Sequence, residues 1–558
     1  MIRHTEVDGV PTVIAPARGP MRAGLVFRVG MADETLVTSG ITHLVEHLAL
    51  SGFELPGHHA NGETRMINTH FYAQGSPTDV STFLTRTCDA LTSLPIDRLE
   101  TEKTIVRTEA ASRGTGADWN MPVWRYGAQG YGLVGGSEFG VETLRPETVL
   151  QWAAEWFTRE NAVLWIAGDD VPSGLRLRLR GGVRRPTPPV TSALPLTPAY
   201  YADGSGQVTM DAVVSRSVTA HVLATVLERR LFQGLRQERG GSYTATASYR
   251  ARDAENGIIT ALADALPEKQ DVVVHGFLEV LTALKAGHIA VADVDAGKAR
   301  LTNLLSDPDF EAAILPSNAA DLLTGRPIST VEQWRAETEA VTAAGVHATA
   351  VEAMASALLQ LPDGYTADWA GFARAPMFSP SAVEGIRYAS RESTEVSLVV
   401  GGGGVSLLTP DGPVTVRYDQ CVAAEAWPHG ARRLVGADGM IVSVDPSRFA
   451  IDPRATAMID AGTPFSVMIW RPPIQVEAAA QAATGRPPAR SWLRTTGRVL
   501  TWTVFVAWLL FALLATVGMA GKDDAGVSGW IGVAVVWFVG WPFRNALFRN
   551  VRKLRTAA

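Results

Sequence analysis

The stretch SGITHLVEHLALSGF, residues 39–53, combines an apolar run with three chemically active side chains. Its apolar residues recur with helical spacing, so we predict an α-helix here. His43 and His47 are four residues apart, which places both imidazoles on one face about one turn apart. This spacing suits two ligands of a tetrahedral zinc ion. Glu46 lies on the same face, where its carboxylate could take a proton from a metal-activated water.

A catalytic zinc needs a third protein ligand, and a second helical stretch offers one. RLETEKTIVRTEAASRG, at residues 98–114, carries Glu102 and Glu109 seven residues apart, two turns along one face. One of these carboxylates could reach the metal from a second helix. Simpler interpretations stay open for both stretches: histidines that face solvent or a core carbonyl, and an ordinary solvated acidic face.

These residues resemble the pitrilysin/insulinase/mitochondrial processing peptidase superfamily of zinc metallopeptidases. Its motif is His43-x-x-Glu46-His47 followed by paired glutamates. The resemblance implies that His43, His47 and Glu109 bind Zn²⁺. It also implies that Glu46 is the general base and that Glu102 supports the ligands from a second layer. One departure is the gap of 62 residues between His47 and Glu109, which is shorter than the family usually has.

Two further stretches extend the resemblance. NGETRMINTHFYAQG, at residues 61–75, is similar to the segment that forms an edge strand for substrate pairing in the family. LFQGLRQERGGSY, at residues 231–243, is similar to a signature of the family's second half, which has no zinc motif of its own. There, Arg236 and Tyr243 would contact the substrate carbonyl and stabilise a developing oxyanion. In two-domain members this pair completes the zinc site of a facing chain, which implies a homodimer or a heterodimer with a paralogue.

Proline-rich breaks divide the chain into segments. The break at residues 181–198 has too many prolines for a helix or a central strand, so we predict a linker. Residues 1–180 and 199–373 mix strand-like runs with long Ala- and Leu-rich helical runs, which indicates an α+β fold. Together with the resemblance, this predicts two tandem homologous α+β peptidase halves, of which the first binds zinc and the second does not.

A third segment, residues 391–474, has the pattern of a small mostly-β domain. Short apolar runs alternate with Gly-rich or Asp-Gly turns, as in a β meander or barrel. The GGGG at residues 401–404 lacks the Gly-Lys-Ser/Thr ending of a P-loop, so we predict a turn rather than a phosphate site. The spacing loosely resembles bacterial pleckstrin-homology-like domains, which implies a binding or docking module.

The C-terminal region predicts a two-helix transmembrane hairpin at residues 499–543. Val499–Ala520 and Ala525–Phe543 are uncharged runs of 22 and 19 residues, long enough to cross a hydrocarbon core of about 30 Å. A buried pair of core helices is the alternative, but tryptophans at both ends favour a membrane. Arginines cluster in the linker 475–498 and the tail 544–558. The positive-inside rule therefore places both ends, and the body before them, in the cytoplasm.

The net charge of −6 averages two unlike regions. Residues 486–558 carry a net +8, so the preceding residues carry −14. An acidic body with a short basic, apolar tail argues against nucleic acid as a partner. The sequence thus predicts a zinc endopeptidase at the cytoplasmic face of the cell membrane. Its predicted partners are a peptide or unfolded protein substrate, membrane lipid and a second chain.

Two other functions stay open. The first is a catalytically inactive family member that acts as a membrane-bound scaffold or peptide-binding subunit. The retention of both histidines and of Glu46, Glu102 and Glu109 argues against it, because a scaffold has no chemical need for them. The second is a protein whose β domain does the main work, by docking lipid or protein, with the peptidase halves as its regulator.

Overall fold

The computed structural model describes residues 2–53, 59–112, 117–135, 138–203 and 206–473. Residues Met1–Pro473 form one compact unit. Within the described part of the chain, no helix is both long enough and apolar enough to span a membrane. The predicted hairpin, its linker and the basic tail lie outside the described residues.

A six-stranded mixed sheet forms the first half. Its strands are β1 (Arg3–Val7), β2 (Val10–Ala15), β3 (Met21–Phe27), β4 (His59–Thr64), β5 (Thr69–Gly75) and β6 (Ala162–Ala167). Its helices are α1 (Ile41–Leu50), α2 (Pro77–Thr92), α3 (Leu99–Ser112), α4 (Ala117–Tyr126) and α5 (Pro146–Trp156). The strand order is β1-β2-β6-β3-β5-β4. Helix α1 buries Ile41, Leu44 and Leu48 in the core beneath this sheet, a gain of about 1.5–3 kcal/mol for each side chain.

The second half has a six-stranded sheet of its own. Its strands are β7 (Ala199–Ala202), β8 (Gln207–Ser215), β9 (Ala245–Ala251), β10 (Asn256–Asp264), β11 (Leu358–Leu361) and β12 (Ala373–Arg374). Its helices are α6 (Val218–Leu231), α7 (Gln270–Lys285), α8 (Val291–Leu305), α9 (Phe310–Ala313), α10 (Leu315–Leu323), α11 (Val331–Ala340) and α12 (Ala343–Ser356). A π-helical turn, Phe232–Glu238, continues α6.

The two halves repeat one topology. In the first, β2 runs parallel to β6, and β6, β3, β5 and β4 follow as antiparallel neighbours. In the second, β7 runs parallel to β11, and β11, β8, β10 and β9 follow in the same way. Along the chain, α1 follows β3 and α6 follows β8. Strands β3 and β8 hold the same place in the two strand orders, so the two helices are equivalent. The structure thus confirms the α+β class, and its repeated strand order supports the prediction of two related halves.

Each half also covers the outer face of the other half's sheet. Helix α10 packs Leu315 and Ala319 against Val26 and Trp165 of the first sheet. Helix α4 packs Met121 against the second sheet, in a cluster that contains Tyr201 and Leu358. Helices α10 and α4 therefore join the two halves through apolar packing on the sheets.

Residues 386–470 form the mostly-β domain. Its strands are β13 (Ile386–Ala389), β14 (Ser397–Gly401), β15 (Gly404–Thr409), β16 (Gly412–Arg417), β17 (Cys421–Ala426), β18 (Arg432–Gly436), β19 (Ile441–Val444) and β20 (Met468–Trp470). They make two four-stranded sheets, ordered β13-β14-β15-β16 and β19-β18-β17-β20, which share one core. The helix α13 (Pro453–Gly462) precedes β20.

This domain differs from its prediction at two points. Strand β13 begins before the predicted start at residue 391, because only Tyr388 of its four residues is buried and no apolar run marks it. Helix α13 was not predicted, because it is short and buries only Ala455 and Ile459. The likeness to pleckstrin-homology-like domains stays a prediction.

The β domain packs directly on the first half. Ala423 and Val435 contact Ala128 in an apolar cluster that also includes Leu36, Val37, Phe139 and Val422. The Ala128 N–H donates a hydrogen bond of 3.0 Å to the Ala437 carbonyl. Gly127 permits this approach, because a Cβ atom there would lie 2.0 Å from the same carbonyl oxygen.

We therefore expect Gly127→Ala to destabilise the chain more than a glycine substitution that has only backbone strain. Gly364→Ala is the matched control: its φ of +87° is close to the +81° of Gly127, but a Cβ at Gly364 has nothing within 4 Å. The strain, roughly 1–2 kcal/mol for a left-handed residue, is common to both. Thermal unfolding should show a melting temperature several degrees lower for Gly127→Ala than for the control, roughly as expected for a further 1–2 kcal/mol. Equal melting temperatures would contradict this packing.

Candidate metal site

A buried carboxylate fixes the start of helix α1. The Glu34 carboxylate accepts hydrogen bonds from the N–H groups of Gly40 (2.7 Å) and Thr42 (2.9 Å). Negative charge is favourable at this end of a helix, although burial raises the pKa of Glu34 to about 7. Gly40 has a φ of 88°, which glycine adopts without strain. These contacts fix the start of α1, which places His43 in its first turn and His47 in its second turn.

Two ring nitrogens and a carboxylate converge at one point. His43 Nε2 lies 3.1 Å from His47 Nε2. The two carboxylate oxygens of Glu109, on α3, each lie 3.6 Å from one of these nitrogens. Tetrahedral zinc with bonds of 2.0–2.1 Å to nitrogen holds two such ligands about 3.4 Å apart. The donor set and its spacing therefore fit a zinc ion, and the structure brings together the three residues predicted to bind it.

Each histidine has a buried carboxylate at its other ring nitrogen. His43 Nδ1 is 2.6 Å from Glu138 Oε1, and His47 Nδ1 is 3.5 Å from Glu102 Oε2. Such a partner favours the tautomer with the proton on Nδ1, which leaves the Nε2 lone pair for a metal. Arg98 donates to the second oxygen of Glu102 at 2.8 Å and holds that carboxylate in place. Glu102 thus lies where a second-layer residue should lie.

Glu46 lies between the two histidines and the strand β4. Its side chain is buried, and Thr64 Oγ1 donates a hydrogen bond of 2.6 Å to Glu46 Oε2. Gly62 of β4 makes room for it, because a Cβ there would come within 2.7 Å of Glu46 Oε1. Burial raises the pKa of the Glu46 carboxyl, while His43, Thr64 and His47 lower it. The net effect is a raised pKa, caused mainly by burial.

These groups line one side of a cavity of about 460 Å³ whose other side is β4. The predicted segment 61–75 forms the end of β4 and all of β5. Strand β4 is the edge of its sheet, so its outer backbone groups have no strand partner in the described part of the chain. The cavity is also lined by Leu50 and Ser51 at the end of α1, by Asn61 and Glu63 of β4, and by Glu102 and Glu109 of α3.

Arg236 and Tyr243 line a second, separate cavity of about 730 Å³. The Arg236 guanidinium carbon lies 5.3 Å from the centre of the Tyr243 ring, so the pair acts as one surface feature. Tyr243 is 81% exposed. The carboxylate of Asp264 holds its backbone by accepting the N–H groups of Tyr243 (3.0 Å) and Thr244 (2.7 Å). The structure does not bring this pair into the cavity of the histidines.

Glu34 and Glu138 belong to the site but were not predicted. Glu138 is 95 residues from His43 in the chain and lies in a Gly-rich stretch with no helical period. Glu34 precedes α1 by seven residues, beyond the usual capping positions. The sequence holds one weak signal for Glu138. It is an acidic residue with glycines nearby, and glycines allow a chain segment to approach a neighbouring backbone closely.

Comparison with known families gives a match in the second half. Residues 209–301 match the family described as "Peptidase M16 inactive domain". The match covers β8 to most of α8, the half that has no His-x-x-Glu-His motif. No curated protein matches the chain.

Solved structures share the fold at low identity. A protease from Helicobacter pylori aligns over 65% of this chain and 100% of its own, with a TM-score of 0.54 and 16% identity. A peptidase M16 inactive domain from Pseudomonas fluorescens aligns over 67% and 100%, with a TM-score of 0.55 and 14% identity. A putative M16-like peptidase from Alicyclobacillus acidocaldarius aligns over 65% and 98%, at 0.52 and 16%. The chain therefore has the fold of M16-like peptidases.

Proposed function

We propose that this protein is a zinc metalloendopeptidase anchored to a membrane by its C-terminal hairpin. One observation carries the proposal: His43, His47 and Glu109 converge beside the buried Glu46, at the edge of an open sheet. The family match to an inactive domain does not argue against activity, because it covers only the half without the motif.

The three converging side chains would hold Zn²⁺. When bound, zinc would supply Lewis-acid chemistry for hydrolysis of a peptide bond. The chain's own residues keep the ligands ready: Glu138 and Glu102 retain the proton on Nδ1 of each histidine. The exposed carboxylate of Glu109 closes the set from α3.

Glu46 is the proton carrier of the reaction. Its Oε2 accepts the Thr64 hydroxyl, which holds the carboxylate in the cavity of the two histidines, where it would take a proton from the attacking water. The same carboxyl then returns that proton to the leaving amine nitrogen. Burial raises the pKa of this carboxyl, which favours its holding the proton between the two transfers.

The substrate is an extended peptide. The free edge of β4 can pair with a peptide backbone through main-chain hydrogen bonds, and such pairing does not depend on a particular sequence. It also requires a segment without its own tertiary structure. Short peptides and unfolded protein segments meet this condition, whereas folded proteins do not.

A second chain completes the active site. Arg236 and Tyr243 are exposed and lie outside the cavity that holds Glu46. In a dimer, Arg236 and Tyr243 of one chain would therefore reach the metal site of the other chain. There they would stabilise the negative charge that develops on the carbonyl oxygen of the substrate.

The membrane part of the proposal rests on the sequence. The two uncharged runs at residues 499–543 and the arginines beside them favour a body on the cytoplasmic side.

In sealed right-side-out vesicles, external protease should leave residues 1–473 intact, and detergent should expose them. Digestion of the body without detergent would reverse the proposed orientation.

We expect Glu46→Gln to abolish peptide cleavage without loss of metal. The amide keeps the shape of the side chain but cannot accept the proton, so cleavage should fall by roughly 10²–10⁴-fold. Zinc content of the purified full chain should stay near that of the wild type, at about one per chain. Glu100→Gln is the control, since Glu100 is an 82% exposed carboxylate on α3. Wild-type zinc binding with no cleavage of any peptide would instead favour the scaffold function.

Mixing two inactive chains tests the role of Arg236. Glu46→Gln and Arg236→Ala should each be inactive alone. If the donors act across a homodimer, re-associated mixed dimers contain one intact site, and an equal mixture should recover about a quarter of wild-type activity. Tyr243→Phe, combined in the same way with Glu46→Gln, should behave like Arg236→Ala. No recovery in either mixture would exclude action between identical chains.

A further inference from the structure

A short loop between α4 and α5 connects the metal site to the β domain. We call this loop, residues 138–143, the strap. Its first residue, Glu138, is buried and places a carboxylate oxygen 2.6 Å from His43 Nδ1. The φ of Glu138 is 54°, a left-handed conformation that non-glycine residues rarely adopt. Such a conformation persists only where the surrounding structure imposes it, and the strap has neighbours on two sides.

On one side the strap packs against the start of α1. The Gly140 N–H donates a hydrogen bond of 3.1 Å to Ser39 Oγ. A Cβ on Gly40 would lie 2.9 Å from Glu138 Cβ, and a Cβ on Gly140 would lie 2.2 Å from the Val37 carbonyl oxygen. The two glycines thus let the strap and the helix start touch without a gap.

On the other side the strap packs against the β domain. Phe139 joins the apolar cluster formed by Ala423 and Val435. Arg471, which follows β20, stacks its guanidinium 5.5 Å from the centre of the Phe139 ring. The same guanidinium donates to Glu142 Oε2 and to Glu425 Oε1, both at 2.8 Å.

The arginine is well placed to hold the strap. The Arg471 side chain is only 13% exposed and that of Glu425 only 6%. An ion pair at this depth is screened little by water, so removing one partner costs more than it would at the surface. Glu142, at 52% exposure, is the member of the strap that reaches this pair.

We propose that Glu138 is a positioning residue for the metal ligand His43, and that the β domain holds it in place through Arg471 and Phe139. The carboxylate fixes the tautomer and the orientation of the His43 ring, and the strap carries that carboxylate between α1 and the β domain. The β domain then supports the structure of the metal site, in addition to any ligand that it docks. This inference rests on the proposed function, because it concerns the affinity of the same zinc site.

The test is zinc affinity, measured on the full chain in detergent by competition with a chromogenic chelator. We expect Glu138→Ala to weaken binding by roughly 10–100-fold, and Glu138→Gln by less, because the amide oxygen still accepts the Nδ1–H. Arg471→Ala and Glu142→Gln should weaken it by roughly 2–30-fold, since they act through the strap. Arg448→Ala is the matched control: Arg448 pairs with Glu392 on the surface of the β domain.

Two further readings separate positioning from simple loss of folding. The melting temperature of Glu142→Gln in chelator should stay near that of the wild type, because the change is at an exposed side chain, so a loss of zinc affinity in this variant is not a loss of folding. The visible spectrum of the Co²⁺-loaded chain should shift in Glu138→Ala and Arg471→Ala, because ring orientation changes the ligand field. The Arg448→Ala spectrum should match the wild type.

Unchanged affinity and spectrum in Glu138→Ala would overturn the positioning role. Unchanged affinity in both Arg471→Ala and Glu142→Gln would overturn the role of the β domain. If the wild type binds zinc and cleaves peptides while all variants bind zinc equally, this inference fails and the proposed function stands. If the wild type binds no zinc, both fail.

Discussion

The burial of negative charge around helix α1 is the constraint on which the site depends. Glu34, Glu46, Glu102 and Glu138 are all nearly inaccessible to water, and Glu109 adds a fifth carboxylate at the mouth of the cavity. Burying so many like charges is costly unless hydrogen bonds or cations compensate them. Backbone N–H groups compensate Glu34 and Arg98 compensates Glu102. The other three carboxylates, those of Glu46, Glu109 and Glu138, lie beside the imidazoles of His43 and His47. A divalent cation bound there would balance their charge.

The repeated topology places different side chains at equivalent positions of the two halves. Helices α1 and α6 follow equivalent strands, and each lies beside the edge strand of its sheet. In the first half that helix carries both histidines and the glutamate. In the second half, it runs into a π-helical turn that presents Arg236 beside Tyr243. One fold thus carries the candidate metal ligands in its first half and the Arg236–Tyr243 pair in its second half.

The sequence could predict the part of the site that depends on local spacing. His43, Glu46 and His47 follow from helical periodicity, and Glu109 and Glu102 follow from a second helix read beside a known motif. Periodicity does not reveal neighbours that meet only after the chain has folded. Glu138 comes from a loop 95 residues beyond His43, and Arg471 comes from another domain. Strand β13 was missed for a local reason, because its exposed residues lack the alternation that marks a strand.

The packing of the β domain changes how its role should be understood. A freely tethered docking module would present polar surface to the rest of the chain. Here β17 and β18 instead bury Ala423 and Val435 against the first half, and Gly127 allows backbone contact at Ala437. Small side chains and a glycine permit an approach that a loosely attached domain would not need. A ligand of this domain would therefore have to bind away from β17 and β18, since that face already joins the strap and, through it, Glu138.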